Sequence, residues 1–287
     1  MIVTADDFGL SIAVNEAVER GFRDGVLTHA SLMVAGPAAA DAVRRARAMP
    51  GLRVGLHVVA VEGAPVLPPE AIPDLVDRRG WFPSDQFRLG LRYFFLPFVR
   101  RQLAAEIRAQ FAAFAATGLP LSHADAHKHM QVHPTAGRLM LRIGREFGLP
   151  RIRVPAEPPG IMARCGVKPS LGARALHAWC GVLRRQARVA GVMTNDAVFG
   201  LAWTGHVTEE RLLALTPHLP PGINELYTHP ATWRDPILTG LMPRYEHRAE
   251  LDALLSPRVR AALAVPAPAP AAASAETAMS PAAYSRG

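Results

Sequence analysis

The sequence predicts a single α/β domain folded as an irregular (β/α) barrel of about seven strands. Three observations point there. Short β-branched or apolar runs alternate with segments of helical apolar spacing from residue 2 to about residue 255. Glycines and prolines fall where each run should stop, as at Gly9, Gly25, Gly118 and Gly148. Acidic and histidine side chains also recur at the ends of the runs, where parallel α/β folds carry their active sites. The domain is expected to cover residues 1–263, with an aromatic-rich insertion at about 62–100. Residues 264–287 are Ala, Pro and Ser with few large apolar side chains, and read as a disordered tail.

Each element has its own signal. Residues 2–4 form a β-branched run that ends in Asp6 and Asp7, with Ser11 placed to cap a helix over 12–24. Strands follow at 31–35 (SLMVA) and 53–60 (RVGLHVVA), separated by a helix over 37–49. The rhythm breaks at residues 62–98, where Pro65, Pro68, Pro69 and Pro73 precede seven aromatics between Trp81 and Phe98. Arg88, Arg92, Arg100 and Arg101 fringe that apolar run, which suits a membrane-interfacial segment, a lid over a hydrophobic substrate, or an ordinary packing helix. A helix is expected at 102–117, a strand at 121–129, and a helix at 134–147 closed by Gly148. Strands at 152–155, 196–201 and 223–228, with helices at 171–190, after Thr208 and at 246–255, complete the pattern.

Composition narrows the function classes. The 287 residues are 49% hydrophobic and carry a net charge of +8, dominated by Arg. That balance gives weak support to an acidic partner or an anionic membrane surface. No nucleic-acid motif is visible. Cys165 and Cys180 are the only cysteines, so there is no disulfide framework and no zinc-knuckle spacing, as befits a reducing compartment. No secretory signal or spanning apolar window is apparent. The expected location is the cytoplasm or the inner face of the membrane.

Eight positions carry chemistry, five of them histidines. Two adjacent carboxylates behind a buried strand repel and call for a cation, and both can serve one site only if the strand ends between them. His57 sits in an apolar strand where an imidazole needs a partner or a metal. The run SHADAHKHMQVH places His123, Asp125, His127 and His129 at every second residue, on one face of a continuous strand. His229 ends a separate strand. Together these make an Asp-His-His site for a divalent cation, zinc or magnesium, with open positions for water. A carboxylate beside the ion can then take a proton and a histidine across the site can protonate the leaving group, which describes an amide or ester hydrolase. Two alternatives stay open. One is a different metallohydrolase, a phosphoesterase or cyclic amidohydrolase using His127 and His129 as an H-x-H pair. The other is a non-catalytic basic adaptor at membranes.

The segments TADDFGLS, GLH at 55–57, HADAHKH at 123–129 and YTHP at 227–230, in this order, resemble the YdjC-like carbohydrate deacetylases, relatives of the chitooligosaccharide deacetylases. The stretches MTNDAVFGLAWTGHVT and YEHRAELDALLSP look further like a hopanoid-biosynthesis-associated branch. The resemblance implies an irregular (β/α) barrel and removal of an N-acetyl group from an acetamido sugar, in that branch from an N-acetylglucosaminyl hopanoid lipid. It implies Asp7, His57 and His127 as metal ligands, Asp6 as general base and His229 as general acid. Asp125 and His129 are expected to support the ligands or touch substrate, and Phe94 and Phe95 to contact the lipid. Thr4 stands where the family has Asn. The expected partners are a glycolipid or acetamido-sugar substrate, with peripheral membrane contact and a second copy of the chain.

Overall fold

The computed structural model describes residues 1–263, so the tail expected at 264–287 lies outside the described residues. Eight strands, all parallel, form one sheet. They are β1 (Ile2–Phe8), β2 (His29–Leu32), β3 (Arg53–Val58), β4 (Ala124–Ala126), β5 (Arg151–Ile152), β6 (Met193–Thr194), β7 (Ala197–Phe199) and β8 (Asn224–Thr228), in the order β6-β5-β4-β3-β2-β1-β8-β7. The sequence expectation of about seven strands misses β6, a two-residue strand too short to leave a periodic signal.

The ends of that order explain the shape. Strands β6 and β7 are the two edges of the sheet, yet only Asn195 and Asp196 separate them in the chain. Three residue steps reach at most about 11 Å, so the sheet must curl until its edges nearly meet. The gap is bridged by a side chain. Asn195 accepts a hydrogen bond from the Val154 amide at 2.7 Å through Oδ1 and donates to the Val154 carbonyl at 2.8 Å through Nδ2. The Val198 amide reaches the Ala156 carbonyl at 3.3 Å. The product is a barrel with one irregular seam.

Helices cover the outside. They are α1 (Ile12–Arg23), α2 (Ala39–Arg47), α3 (Gln86–Phe95), α4 (Pro97–Ala116), α5 (Pro134–Glu146), α6 (Pro159–Arg164), α7 (Leu171–Val189), α8 (Glu209–Leu215), α9 (Pro236–Leu241), α10 (His247–Leu255) and α11 (Pro257–Leu263). Ser11 caps α1 by accepting from the Val14 amide. Buried Asn15 on α1 accepts from the Gly9 amide at 2.8 Å and donates to the Ala38 carbonyl at 3.0 Å, which locks the loop behind β1. Among the described residues no helix is long and apolar enough to cross a membrane.

Two local expectations are corrected. The strand expected over 121–129 is regular only at β4, because Lys128 (φ 51°) and His129 (φ 54°) are left-handed and turn the chain away. The turn takes His129 off the strand, while His123, Asp125 and His127 keep one inward face, His123 and Asp125 both meeting Ser31 Oγ and His127 reaching Asp7. The helix expected at 102–117 begins earlier, at Pro97, and the aromatic segment before it is itself a helix, α3. Of the aromatics there, Phe82 and Tyr93 are buried, whereas Phe87, Phe94, Phe95 and Phe98 are exposed. The loop between β3 and α3 is tied down by α4. Buried Glu106 accepts from the Val66 and Leu67 amides at 2.8 and 2.9 Å, and Gln110 brackets both polar backbone groups of Val59.

Replacing Asn195 with Ala orphans a buried amide and a buried carbonyl at the seam. Two such losses cost about 2–4 kcal/mol, so urea unfolding should show a lower midpoint at unchanged slope.

Candidate active site

The strand C-termini converge on a pocket of about 340 Å³ whose lining includes Asp6, His57, His127, His129, Tyr227 and His229. Adjacent strand residues normally face opposite sides. Here β1 carries a register shift between Ala5 and Phe8, with Asp7 at φ 60°, a conformation that Asp tolerates better than most residues. The irregularity turns both carboxylates inward, so the strand runs through the pair without ending between them. Asp6 and Asp7 are both buried.

Asp7, His57 and His127 offer ligand atoms that lie within 4.8 Å of one another. The Asp7 Oδ1 is 3.3 Å from His57 Nε2 and 3.2 Å from His127 Nδ1. Asp7 Oδ2 is buried without a hydrogen-bond partner. An ionised carboxylate oxygen left bare in the interior costs several kcal/mol unless something positive meets it, and a divalent cation between these three donors would satisfy it. One carboxylate and two imidazoles match the donor types that zinc accepts, so the residues present fit a metal ion.

Burial alone would raise the Asp7 pKa, but the His127 charge and the imidazole hydrogen bonds outweigh it and hold the carboxyl well below its ordinary value. For His57, burial pulls down while Asp125 and Asp7 pull up, leaving it at about 10. His57 donates from Nδ1 to Asp125 Oδ1 at 2.8 Å, which fixes the ring and aims Nε2 at Asp7. The second oxygen of Asp125 accepts from Ser31 Oγ at 2.8 Å and from Arg153 at 2.8 Å. Asp125 is thus a support behind His57.

Arg153 is the residue that sequence reasoning missed. Its side chain is fully buried and meets three carboxylates. Both terminal nitrogens donate to Asp6, at 2.7 and 2.8 Å, and Nε donates to Glu225 at 2.9 Å. Thr4, at the position of the family's Asn, donates to the same Glu225 oxygen at 3.0 Å. Asp6, His57 and Asp125 also lie close enough to hold an ion, but the guanidinium already neutralises both carboxylates there. One of two Arg in the short run RIRVP, Arg153 gives no sequence signal of such a role.

His229 lies at the end of β8, across the pocket. Its amide donates to the buried Glu250 carboxylate, and its carbonyl accepts from His247 Nδ1 at 2.6 Å. Burial pushes the Glu250 carboxyl up to about 8. The His229 Nδ1 is buried and unpartnered, and burial lowers its pKa despite the pull of Asp7 and Asp6. Tyr227 and Tyr245 pack edge-on against its ring, at 5.5 and 5.1 Å. His129, left-handed, packs edge-on to Tyr227 at 4.9 Å and is not one of the three residues Asp7, His57 and His127 whose ligand atoms converge. The three-residue group takes one member of the H-x-H pair, His127, and sets it with Asp7 and His57. Phe94 and Phe95 are not brought into the pocket either; they line a separate cavity of about 460 Å³ beside it. The Gln86 side chain, at the start of α3, donates to the Lys128 carbonyl at 3.0 Å and ties that surface to the site.

The family model described as YdjC-like protein matches residues 1–265. The chain belongs to the YdjC-like family. It is 30% identical over 273 residues to a "Chitooligosaccharide deacetylase" of Serratia marcescens, covering 92% of this chain and 94% of that one. It is 29% identical over 265 residues to a "Carbohydrate deacetylase" of Geobacillus stearothermophilus, covering 92% of each. A similar relative, from Brevibacillus brevis, carries the same description at 28% identity over 261 residues, covering 91% of this chain and 92% of that one. The fold is shared with the crystal structure of a proposed cellobiose-phosphate cleavage protein from Enterococcus faecalis V583, at a TM-score of 0.71 and 23% identity, covering 91% of this chain and 92% of that one.

Two outcomes follow for this YdjC-like site. Zinc added at 100 times its Kd should stabilise the protein by about 2.7 kcal/mol and raise the melting temperature, a shift that Asp7→Asn abolishes. For Asp125, burial favours the neutral acid, but Arg153 and then His57 outweigh it and hold its pKa far below the ordinary range. The folded value is thus below the unfolded one of about 3.9, so its stabilisation is present above that pH and drains away as pH falls. Urea titrations from pH 6 downward should show wild-type stability falling below about pH 4, with a shallower slope in Asp125→Asn.

Proposed function

We propose that the protein is a metal-dependent hydrolase that removes the N-acetyl group from an acetamido sugar, releasing a free amine and acetate. Its relatives named for carbohydrate and chitooligosaccharide deacetylation support the reaction class. The observation that carries the reading is the convergence of Asp7, His57 and His127 around a bare buried carboxylate oxygen, with Asp6 and His229 lining the same pocket.

Asp7, His57 and His127 would hold the ion, and two imidazoles in the set favour zinc over magnesium. When bound, the ion supplies polarisation of the acetyl carbonyl and acidification of water. Asp6 is the general base. The two hydrogen bonds from Arg153 fix the plane of its carboxylate, so an oxygen is already aimed when water attacks the acetyl carbon. His229 protonates the departing sugar nitrogen. Glu250 and His247 hold its backbone, and the two tyrosine rings restrict its imidazole. Tyr227 and Tyr245 also shield that face from bulk water, which strengthens the charge interactions at the reacting centre.

The finer reading is a lipid-borne substrate, an N-acetylglucosaminyl hopanoid, turned over at the membrane surface. Its support is the surface next to the pocket. Phe87, Phe94 and Phe95 are 77%, 50% and 65% exposed, and Arg88 and Arg92 lie on the same helix. Exposed aromatic rings beside arginines suit the interface of an anionic bilayer.

Two measurements test these statements. Acetate release from an N-acetylglucosaminyl lipid should be chelator-sensitive in the wild type and absent in Asp7→Ala. His229→Ala should lose about 10²–10⁴-fold in kcat with metal content intact; equal rates with and without chelator contradict the reading. Replacing Phe94 and Phe95 with Ser should abolish binding to anionic vesicles while sparing turnover of a soluble acetamido sugar. Retained vesicle binding removes the membrane role of α3.

A further inference from the structure

At the end of the barrel opposite the pocket, the N-terminal ends of β2, β3, β5 and β6 surround a second cavity of about 820 Å³. Its walls are largely apolar, with Met49, Leu52, Leu121 and Met193 among them. Three arginines, Arg47, Arg53 and Arg151, line the same space, and no carboxylate does. Arg47 and Arg53 are exposed at its mouth and Arg151 is half-buried, and charges of one sign beside an apolar wall attract an anion more strongly than they would in open solvent.

The neighbouring polar groups do not answer it. Arg47 donates to the Thr117 carbonyl at 2.7 Å, and Arg151 donates to His29 Nε2 at 3.0 Å. His29 meets Thr28 Oγ1 at 2.8 Å through Nδ1, so the imidazole uses both nitrogens and stays neutral. Burial, followed by the charges of His123, Arg151 and Arg53, takes its pKa down to about 3. Glu225 is the acid that bears on Arg151, but it is committed to Arg153 and Thr4 inside the barrel. The open cavity therefore keeps a positive charge, met by solvent but by no carboxylate of its lining, beside an apolar wall.

We propose that this cavity binds an amphiphilic phosphate monoester, with its phosphate among Arg47, Arg53 and Arg151 and its apolar body against Met49 and Met193. A phosphate monoester carries about −1.5 to −2 charges at neutral pH, a closer match to three guanidiniums than a carboxylate. Guanidinium also presents paired donors at the spacing of phosphate oxygens. The site is separate from the strand C-terminal pocket, with which it shares no residue, and its occupation does not depend on the reaction proposed there.

Calorimetric titration of the full chain with octyl phosphate, inorganic phosphate, octanoate and octanol tests it. Octyl phosphate should bind at least tenfold more tightly than each of the other three, and more weakly at high salt. Arg53→Gln should lose about tenfold in affinity and Arg47→Gln/Arg53→Gln more, with melting temperatures unchanged as a control for folding. Equal affinity for octanol, or undiminished binding in the double variant, overturns the site by placing the ligand elsewhere, for instance on α3. Octanoate binding as tightly as octyl phosphate overturns the assignment to phosphate.

Discussion

One buried guanidinium holds the inside of this barrel together. Arg153 comes from the strand edge near the seam and reaches Asp6 on β1, Asp125 on β4 and Glu225 on β8. Three carboxylates in the interior would each demand a proton or a partner, and one Arg answers all of them with geometrically matched hydrogen bonds. Removing it would leave several uncompensated charges, a loss that commonly reaches 3–5 kcal/mol for a single broken pair. The constraint is also functional. It leaves Asp7 as the one member of the acidic pair whose second oxygen is bare, and it dictates that Asp6 and Asp7 take different parts.

Around that centre, backbone irregularity places side chains that regular strands would send apart. The shift in β1 and the left-handed Asp7 bring neighbouring carboxylates to one pocket, and the left-handed Lys128 and His129 end β4 just as His127 arrives. Such conformations cost of order 1–3 kcal/mol each and persist where surrounding contacts hold them. Close approach serves the same end at Gly55, where a Cβ would lie 2.4 Å from the His123 ring. That clearance lets His123 donate to Ser31, which in turn donates to Asp125. The chain of contacts from His123 through Asp125 to His57 makes the imidazole that faces Asp7 a rigidly held one.

Much of this was legible in the residues. The alternation of β-branched runs and amphipathic segments pointed to the parallel sheet, Asp6, Asp7 and His57 stood out at apolar runs, and His127 stood out only as one of a His/Asp run, its place beside Asp7 and His57 coming from the family resemblance. What remained hidden was long-range or irregular. Arg153, Glu225 and Glu250 lie far apart in sequence and become partners of the site only when the strands pair, so spacing carries no trace of them. The 123–129 run misled for the opposite reason. Its strict period of two describes a strand, and nothing local announces that Lys128 and His129 turn left-handed. Strand β6 was invisible because two residues are too few for a pattern, and the seam it leaves is closed by Asn195 where backbone pairing would otherwise run.

Asp7, His57 and His127, and no other set, are proposed to hold a divalent ion. Crystals soaked in zinc and measured at its absorption edge test it most directly. An anomalous peak about 2.0–2.3 Å from a carboxylate oxygen of Asp7 and from one nitrogen each of His57 and His127 is the predicted result. A peak ligated by Asp6 and Asp125 or by His129, or no peak under saturating zinc, would contradict it.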